Sequence, residues 1–375
     1  MLDLKRQYQP LHKELLTALD QVLENQQFIL GTPVATFEQQ AASQLGVAHA
    51  VGCSSGTDAL WLMLAAAKIG PGAAVVTTPF SFFASVSCIL RAGATALLAD
   101  IDPATFNLSP AAVEQVLASQ PGSQVRAVLP VHLYGQTADF FPDFAQKHGV
   151  VVLEDAAQAW GAESGGVKAG GLGLAGAFSF YPTKNLSAAG DAGMIATNSD
   201  EIAERARMLR QHGMRRRYYH DEVGWNTRMD GFQGAVLSVK LQYIEGWNQA
   251  RRTVAERYHA LFRTAGLAEA GPFPVSGIVL PHEVAGTRHV WHQYVIRTQR
   301  RDELRAFLTE RKIGSEIYYP VPLHMQDALK SLGYKEGDFP EAERAAREVL
   351  ALPIFAELRE DEQQTVVAAI ADFLS

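Results

Sequence analysis

The chain has 375 residues, 47% hydrophobic and 19% charged, with 33 Lys and Arg against 40 Asp and Glu and a net charge of −7. That length supports a large core and more than one domain, and the charge argues against a generic nucleic-acid binder. Two cysteines, Cys53 and Cys88, form neither a disulfide framework nor a zinc-ligand spacing, and neither a signal peptide nor a membrane-length apolar run is read, so a cytoplasmic protein without a metal is expected.

An amphipathic helix is expected over about Leu11–Asn25, and a second from Pro33, with Thr32 as its N-cap and proline in the first turn. Apolar runs then recur at His49–Cys53, Ala74–Thr78, Thr95–Ala99, Val125–Val131, Val150–Leu153, Ala177–Tyr181 and Gly193–Thr197. Helical periods lie between most of them, at Asp58–Lys68, Phe83–Arg91, Pro110–Ala118 and Ala138–His148. This alternation predicts an α/β fold whose mostly parallel seven-stranded sheet is flanked by helices.

After Asp200 the pattern changes. Glu201–Gln211 reads as helix, Gly213–Asn226 as a polar, basic and aromatic loop, and Met229–Phe262 as one long helix with Leu237, Val239, Leu241, Ile244 and Trp247 at its apolar positions. The Gly- and Pro-containing stretch Gly266–Pro281 opens a smaller α+β unit. Its expected strands are Tyr294–Thr298 and Glu316–Tyr319, and its expected helices Asp302–Lys312, Glu341–Leu350 and Glu360–Leu374. A boundary near residue 250 gives a large domain over 1–250 and a small C-terminal domain over 251–375.

Several strand ends in the first part carry candidate chemistry. Gly52-Cys-Ser-Ser-Gly56-Thr57-Asp58 joins the first strand to a helix. Its glycines and free N–H groups suit a phosphate, with the Thr57 hydroxyl as a further donor, though the same string is common in plain turns. Phe82 follows the second strand, where open α/β sheets bind ligands, and serves either a planar ring or the core. Asp155 closes Val151-Val-Val-Leu-Glu-Asp155 as a cleft carboxylate or a cap, and Gln158 falls on the same side if a helical turn follows. Ser179 stands between Phe178 and Phe180 on a strand, points away from both and wants a polar partner such as a phosphate. Lys184 lies in the next turn. A strand ending in Asp, a strand with Ser and then a turn lysine is the order a pyridoxal 5′-phosphate (PLP) enzyme needs. The amine forms a Schiff base with the aldehyde, and the carboxylate keeps the pyridine nitrogen protonated. Alone, Lys184 would read as a solvated loop lysine; the combination changes that.

With these residues in view, the sequence resembles the DegT-type sugar aminotransferases nearly end to end. The shared segments are Phe28-Ile-Leu-Gly31, Ser55-Gly-Thr-Asp-Ala-Leu60, Asp100-Ile-Asp102, His132-Leu-Tyr-Gly135, Glu154-Asp-Ala-Ala-Gln158 and Phe178-Ser-Phe180 with Lys184. They continue with Gly190-Asp-Ala-Gly193, Asn226-Thr-Arg-Met-Asp230, Tyr319-Pro-Val-Pro-Leu-His324 and Leu352-Pro-Ile. The resemblance implies the PLP-dependent transferase fold of type I, with catalytic Lys184 bonded to PLP and catalytic Asp155 on the pyridine nitrogen. It also implies Gln158 on the ring hydroxyl, Phe82 stacked on the ring, and Thr57, Asp58 (through its backbone) and Ser179 on the phosphate. Asn226 matches an asparagine that completes this site from the other subunit, so a homodimer with shared sites is implied. Substrate contacts are implied for Trp160, Tyr181, His220, Tyr319 and His324.

Trp160 departs from a histidine frequent in the family, and Ser187 and Ala192 depart from a glycine-rich turn. The implied reaction moves an amino group from an amino acid, L-glutamate above others, to a nucleotide-linked keto sugar. Arg216-Arg-Tyr-Tyr-His220 with Asn226–Asp230 resembles members acting at sugar carbon 3 more than at carbon 4. Three alternatives are weighed beside it. A sugar dehydratase would carry histidine in place of Lys184, a cysteine desulfurase would need a mobile cysteine, and a PLP-binding regulator would lack turnover.

Overall fold

The computed structural model describes residues 2–119, 124–138 and 142–375. Its frame is a seven-stranded sheet of β1 (His49–Cys53), β2 (Ala74–Thr77), β3 (Thr95–Leu98), β4 (Val125–Val128), β5 (Val151–Asp155), β6 (Ala175–Ser179) and β7 (Gly193–Thr197). The strands stand in the order β1-β7-β6-β5-β4-β2-β3. β7 runs antiparallel to β1 and β6, and the other pairs are parallel, as the alternation of elements predicts. Helices cover both faces, so the strands read as nearly continuous apolar runs. Val51, Val75, Val76, Leu153 and Ile195 are all fully buried, each contributing roughly 1.5–3 kcal/mol of burial.

Some boundaries move. The first helix runs Leu4–Asn25, with the Asp3 side chain accepting from the Lys5 N–H and Pro10 inside it, so it begins seven residues before the expected start at Leu11. The second begins at Gly31, and Thr32 is not its cap, because the Thr32 N–H donates to the Gln27 side chain at 2.8 Å. Of the helix expected over Ala138–His148, Pro142–His148 is helical and 139–141 lie outside the described residues.

The single helix expected over Met229–Phe262 is two, Gly231–Leu241 and Ile244–Thr264. The change of core falls within the second of them. Leu237, Leu241 and Ile244 belong to one core with Phe178 and Phe180, while Val254, Tyr258 and Phe262 belong to another with the C-terminal strands. Residue 250 therefore sits within a continuous helix that carries the chain from one sheet to the next.

That second sheet has four strands, Ala268–Glu269, Ile278–Val279, Tyr294–Arg297 and Val349–Leu352, in that order. The helix expected to reach Leu350 ends at Glu348, because Val349–Leu352 is wholly buried and pairs antiparallel with Tyr294–Arg297. The strand expected at Glu316–Tyr319 is reduced to a single bridge between Glu316 and Ala351. Helix Pro340–Glu348 has no cap of its own at Phe339. Asp100, just beyond β3, supplies it: its carboxylate accepts from the N–H groups of Glu341 and Ala342, both at 2.9 Å.

Candidate active site

The carboxyl ends of β1, β2, β5 and β6 open toward one cleft. At the end of β1, Ser55 caps helix Gly56–Ala66 by accepting from the Asp58 N–H at 3.1 Å. The Asp58 N–H is thereby occupied, which leaves the N–H groups of Gly56 and Thr57 without a partner among the described residues. A Cβ added at Gly56 would overlap Ser179, so only glycine brings this helix start against the end of β6. The Asp58 carboxylate accepts from Ser54 at 2.7 Å and from Arg91 at 2.9 Å, and so is turned away from the exposed amides.

At the end of β5 two adjacent carboxylates face opposite ways. Glu154 is fully buried and accepts from the N–H groups of Gly170 (2.6 Å) and Gly173 (2.7 Å). It also accepts from His132 Nε2 at 2.8 Å. His132 Nδ1 accepts from the Ala138 N–H at 3.0 Å, so the ring hydrogen lies on Nε2 in the neutral imidazole. Asp155 faces the cleft side, 4% exposed, accepting from Ser85 Oγ at 2.7 Å and from the Ala157 N–H at 3.2 Å. Burial pushes its proton affinity up, and Ser85, the Ala157 amide, Lys184 and His132 hold it down.

Lys184 is presented by a turn that the sequence explains. Its N–H donates to Tyr181 O at 2.8 Å, closing Tyr181-Pro-Thr-Lys184 with proline at the second position, where its fixed φ is suited. The side chain is half-buried, and its amine has no hydrogen-bond partner among the described residues. Burial lowers its pKa to about 8, with Asp155 opposing that shift. Gln158 accepts from the Tyr134 N–H at 2.7 Å and donates to the Tyr319 hydroxyl at 3.2 Å. The Tyr319 ring lies 6.5 Å from that of Phe82, which is 60% exposed despite its size. Phe82 follows Ser81, whose hydroxyl lies 2.9 Å from that of Ser85, the donor to Asp155.

Other candidates stand apart from this group. Trp160 is buried, its ring packs on Phe178 and Phe180, and its N–H donates to Gln44 at 3.0 Å. It therefore lies on the face of β6 opposite Ser179. His324 is also closed off, buried with Nε2 3.0 Å from Glu343 and its ring on Phe339. Tyr181 and His220 are exposed, and His220 Nδ1 lies 2.8 Å from His212 O. Asn226 is exposed as well, beside the segment whose Thr227 O accepts from the Ser54 N–H at 3.1 Å. Sequence reasoning missed Ser85 and Tyr134. For Ser85 a signal existed: Ser81 and Ser85 fall four residues apart, and their hydroxyls lie 2.9 Å from each other.

Comparison with known proteins places these residues in context. A family model described as the DegT/DnrJ/EryC1/StrS aminotransferase family matches residues 9–371. A protein named "Pleiotropic regulatory protein" from Geobacillus stearothermophilus is 48% identical over all of this chain and 98% of its own. The UDP-N-acetyl-3-dehydro-alpha-D-glucosamine 3-aminotransferase of Acidithiobacillus ferrooxidans is 39% identical over 99% of this chain and 96% of its own. The crystal structure of S. venezuelae DesV in complex with a ketimine intermediate superposes with a TM-score of 0.93 at 39% identity, covering 100% of this chain and 97% of that one.

Proposed function

This chain belongs to the DegT/DnrJ/EryC1/StrS aminotransferase family, and we propose that it uses PLP to transfer the amino group of L-glutamate to the 3-keto group of a nucleotide-linked sugar. The observation that carries the reading is the buried Asp155, held by Ser85 at the end of β5, with Lys184 presented by the turn that follows the adjacent parallel strand β6. Carbon 3 is supported by the name of the Acidithiobacillus relative and by Arg216–His220 with Asn226–Asp230.

The residues present fit PLP. Gly56 and Thr57 offer unpaired N–H groups at a helix start held against Ser179, the arrangement that receives a phosphate. Phe82 offers an exposed ring face, and Gln158 a fixed amide. When bound, PLP supplies an aldehyde for an amine and a sink for the electrons released at the donor's α-carbon. Within that site Asp155 holds a proton on the pyridine nitrogen, and Ser85 holds Asp155. Lys184, in the turn after β6, takes the α-proton from the donor and returns it to the product carbon. Asn226 is assigned to the phosphate of a second copy, which makes the active unit a homodimer.

The desulfurase reading finds no support, since Cys53 and Cys88 are both buried and burial pushes both thiols up, Cys53 to about 12. The test of function is a panel of nucleotide-linked 3-keto and 4-keto sugars, incubated with protein, PLP and L-glutamate and read by mass spectrometry. Amination of a 3-keto sugar is expected. Amination of 4-keto sugars alone would overturn the position assignment, and transfer to no member of the panel would overturn the substrate class.

A further inference from the structure

Next to Lys184 runs a chain of uncharged hydrogen bonds that the reaction outlined above leaves unused. Asn185 is buried, and its Nδ2 donates to Val290 O and to Asn248 Oδ1, both at 2.9 Å. Asn248 Nδ2 donates in turn to Trp160 O at 2.9 Å. Backbone carbonyls only accept, so Val290 and Trp160 fix which way both amides point. Asn185 Oδ1 is then left facing His292 Nδ1 at 3.2 Å, and that nitrogen must carry the hydrogen. His292 is uncharged there, because burial and then the charges of Lys184 and Arg251 push it well below the usual imidazole range.

Two segments meet at the Asn185 amide, the helix Ile244–Thr264 and the loop ahead of Tyr294–Arg297, and the turn after β5 joins them through Asn248. The surroundings are otherwise apolar, with Trp160, Leu186 and Val290 all in the core. A buried polar chain of this kind contributes little net stability beside such packing, but it selects one arrangement over its neighbours. What it selects here is the path of the backbone immediately after Lys184.

We propose that Asn185, held by Asn248 and His292, is a positioning residue that aims the Lys184 amine at the cofactor aldehyde. This rests on Lys184 being the cofactor lysine, and the experiment separates the two claims. Borohydride treatment of the wild-type protein with PLP, followed by peptide mapping, first locates the modified lysine; label elsewhere than Lys184 overturns the functional reading itself. The same trapping is then run on Asn185→Ala, alongside binding of pyridoxine 5′-phosphate, which has the phosphate and ring but no aldehyde.

The expected result is a fall in the trapping rate of roughly ten- to a hundredfold from misdirection of the amine, with pyridoxine phosphate affinity unchanged. His292→Phe should behave alike, and His292→Asn, whose amide can replace the Nδ1 donor, should recover most of the rate. Unchanged trapping in Asn185→Ala overturns the proposal. So does a parallel loss of affinity for both ligands, because that marks a general loosening of the site.

Discussion

Burial and one carboxylate set the proton affinity of Lys184, and the two act in opposite directions. With a folded pKa of about 8 against an ordinary 10.5, the amine is in its nucleophilic form at a pH where a solvated lysine is not. Trapping of pyridoxal by borohydride should therefore rise with pH through about 8. Asp155→Asn removes the charge that favours the ammonium form, so its inflection should move to lower pH. In the same variant, loss of one oriented charge should slow the donor half-reaction on the order of 10²–10³. A near-wild-type rate would reduce Asp155 to a structural acceptor for Ser85 and Ala157. The shift has a stability counterpart. Between about 8 and 10.5 the unfolded chain binds a proton at Lys184 that the folded chain has shed, so this residue makes cofactor-free stability rise with pH across that window. Melting curves of wild type and Lys184→Met across the window should differ in slope, the variant losing that increment.

Elements were legible where a local pattern and the tertiary surroundings agreed. All seven strands of the large sheet could be read because short apolar runs closed by polar turns have few other uses in an α/β chain. The turn at Tyr181-Pro-Thr-Lys184 was legible for the same reason. The break at Gln242 and Tyr243 was not, since neither residue opposes a helix and Leu241 and Ile244 on its two sides serve the same core. Trp160 was drawn toward the substrate by analogy of position, whereas its bulk is spent between Phe178 and Phe180. The cap on helix Pro340–Glu348 was also invisible, because Asp100 lies 241 positions earlier than the amide of Glu341. Its two amide bonds make a direct prediction. Asp100→Ala should destabilise the protein by about 1–2 kcal/mol, read as a lower denaturation midpoint, with Asp100→Asn intermediate. An unchanged midpoint would mean that solvent caps that helix equally well.

At the scale of the whole molecule, the hairpin of Met214–Arg216 and Tyr219–His220 projects with Tyr218 75% exposed. Arg216 and Arg217 lie over Tyr219 and Tyr218. So aromatic and basic a surface is poorly suited to water alone and well suited to an interface that borders an anion. If Asn226 serves the partner's phosphate, two inactive variants should rescue one another. Lys184→Ala and Asn226→Asp, mixed and allowed to exchange subunits, would give dimers with one doubly damaged site and one intact site, and partial activity should return. If each subunit builds its own site, every site keeps one lesion and mixing restores nothing. Verified exchange without recovery, or a fully active monomer, would count against shared sites.

Glu154 and Asp155 are neighbours in the chain and opposites in the fold, one clamping the Gly170–Gly173 loop and the other facing the cleft. What separates them is only the parity of the pleat. Loss or gain of a single residue within Val151–Leu153 would exchange their faces, setting a carboxylate with no loop to clamp in the cleft and leaving the loop amides with no acceptor. Length variation among descendants of this chain is thus confined to the loops on either side of β5, and within the strand only a change of two residues would preserve the assignment of the two acids.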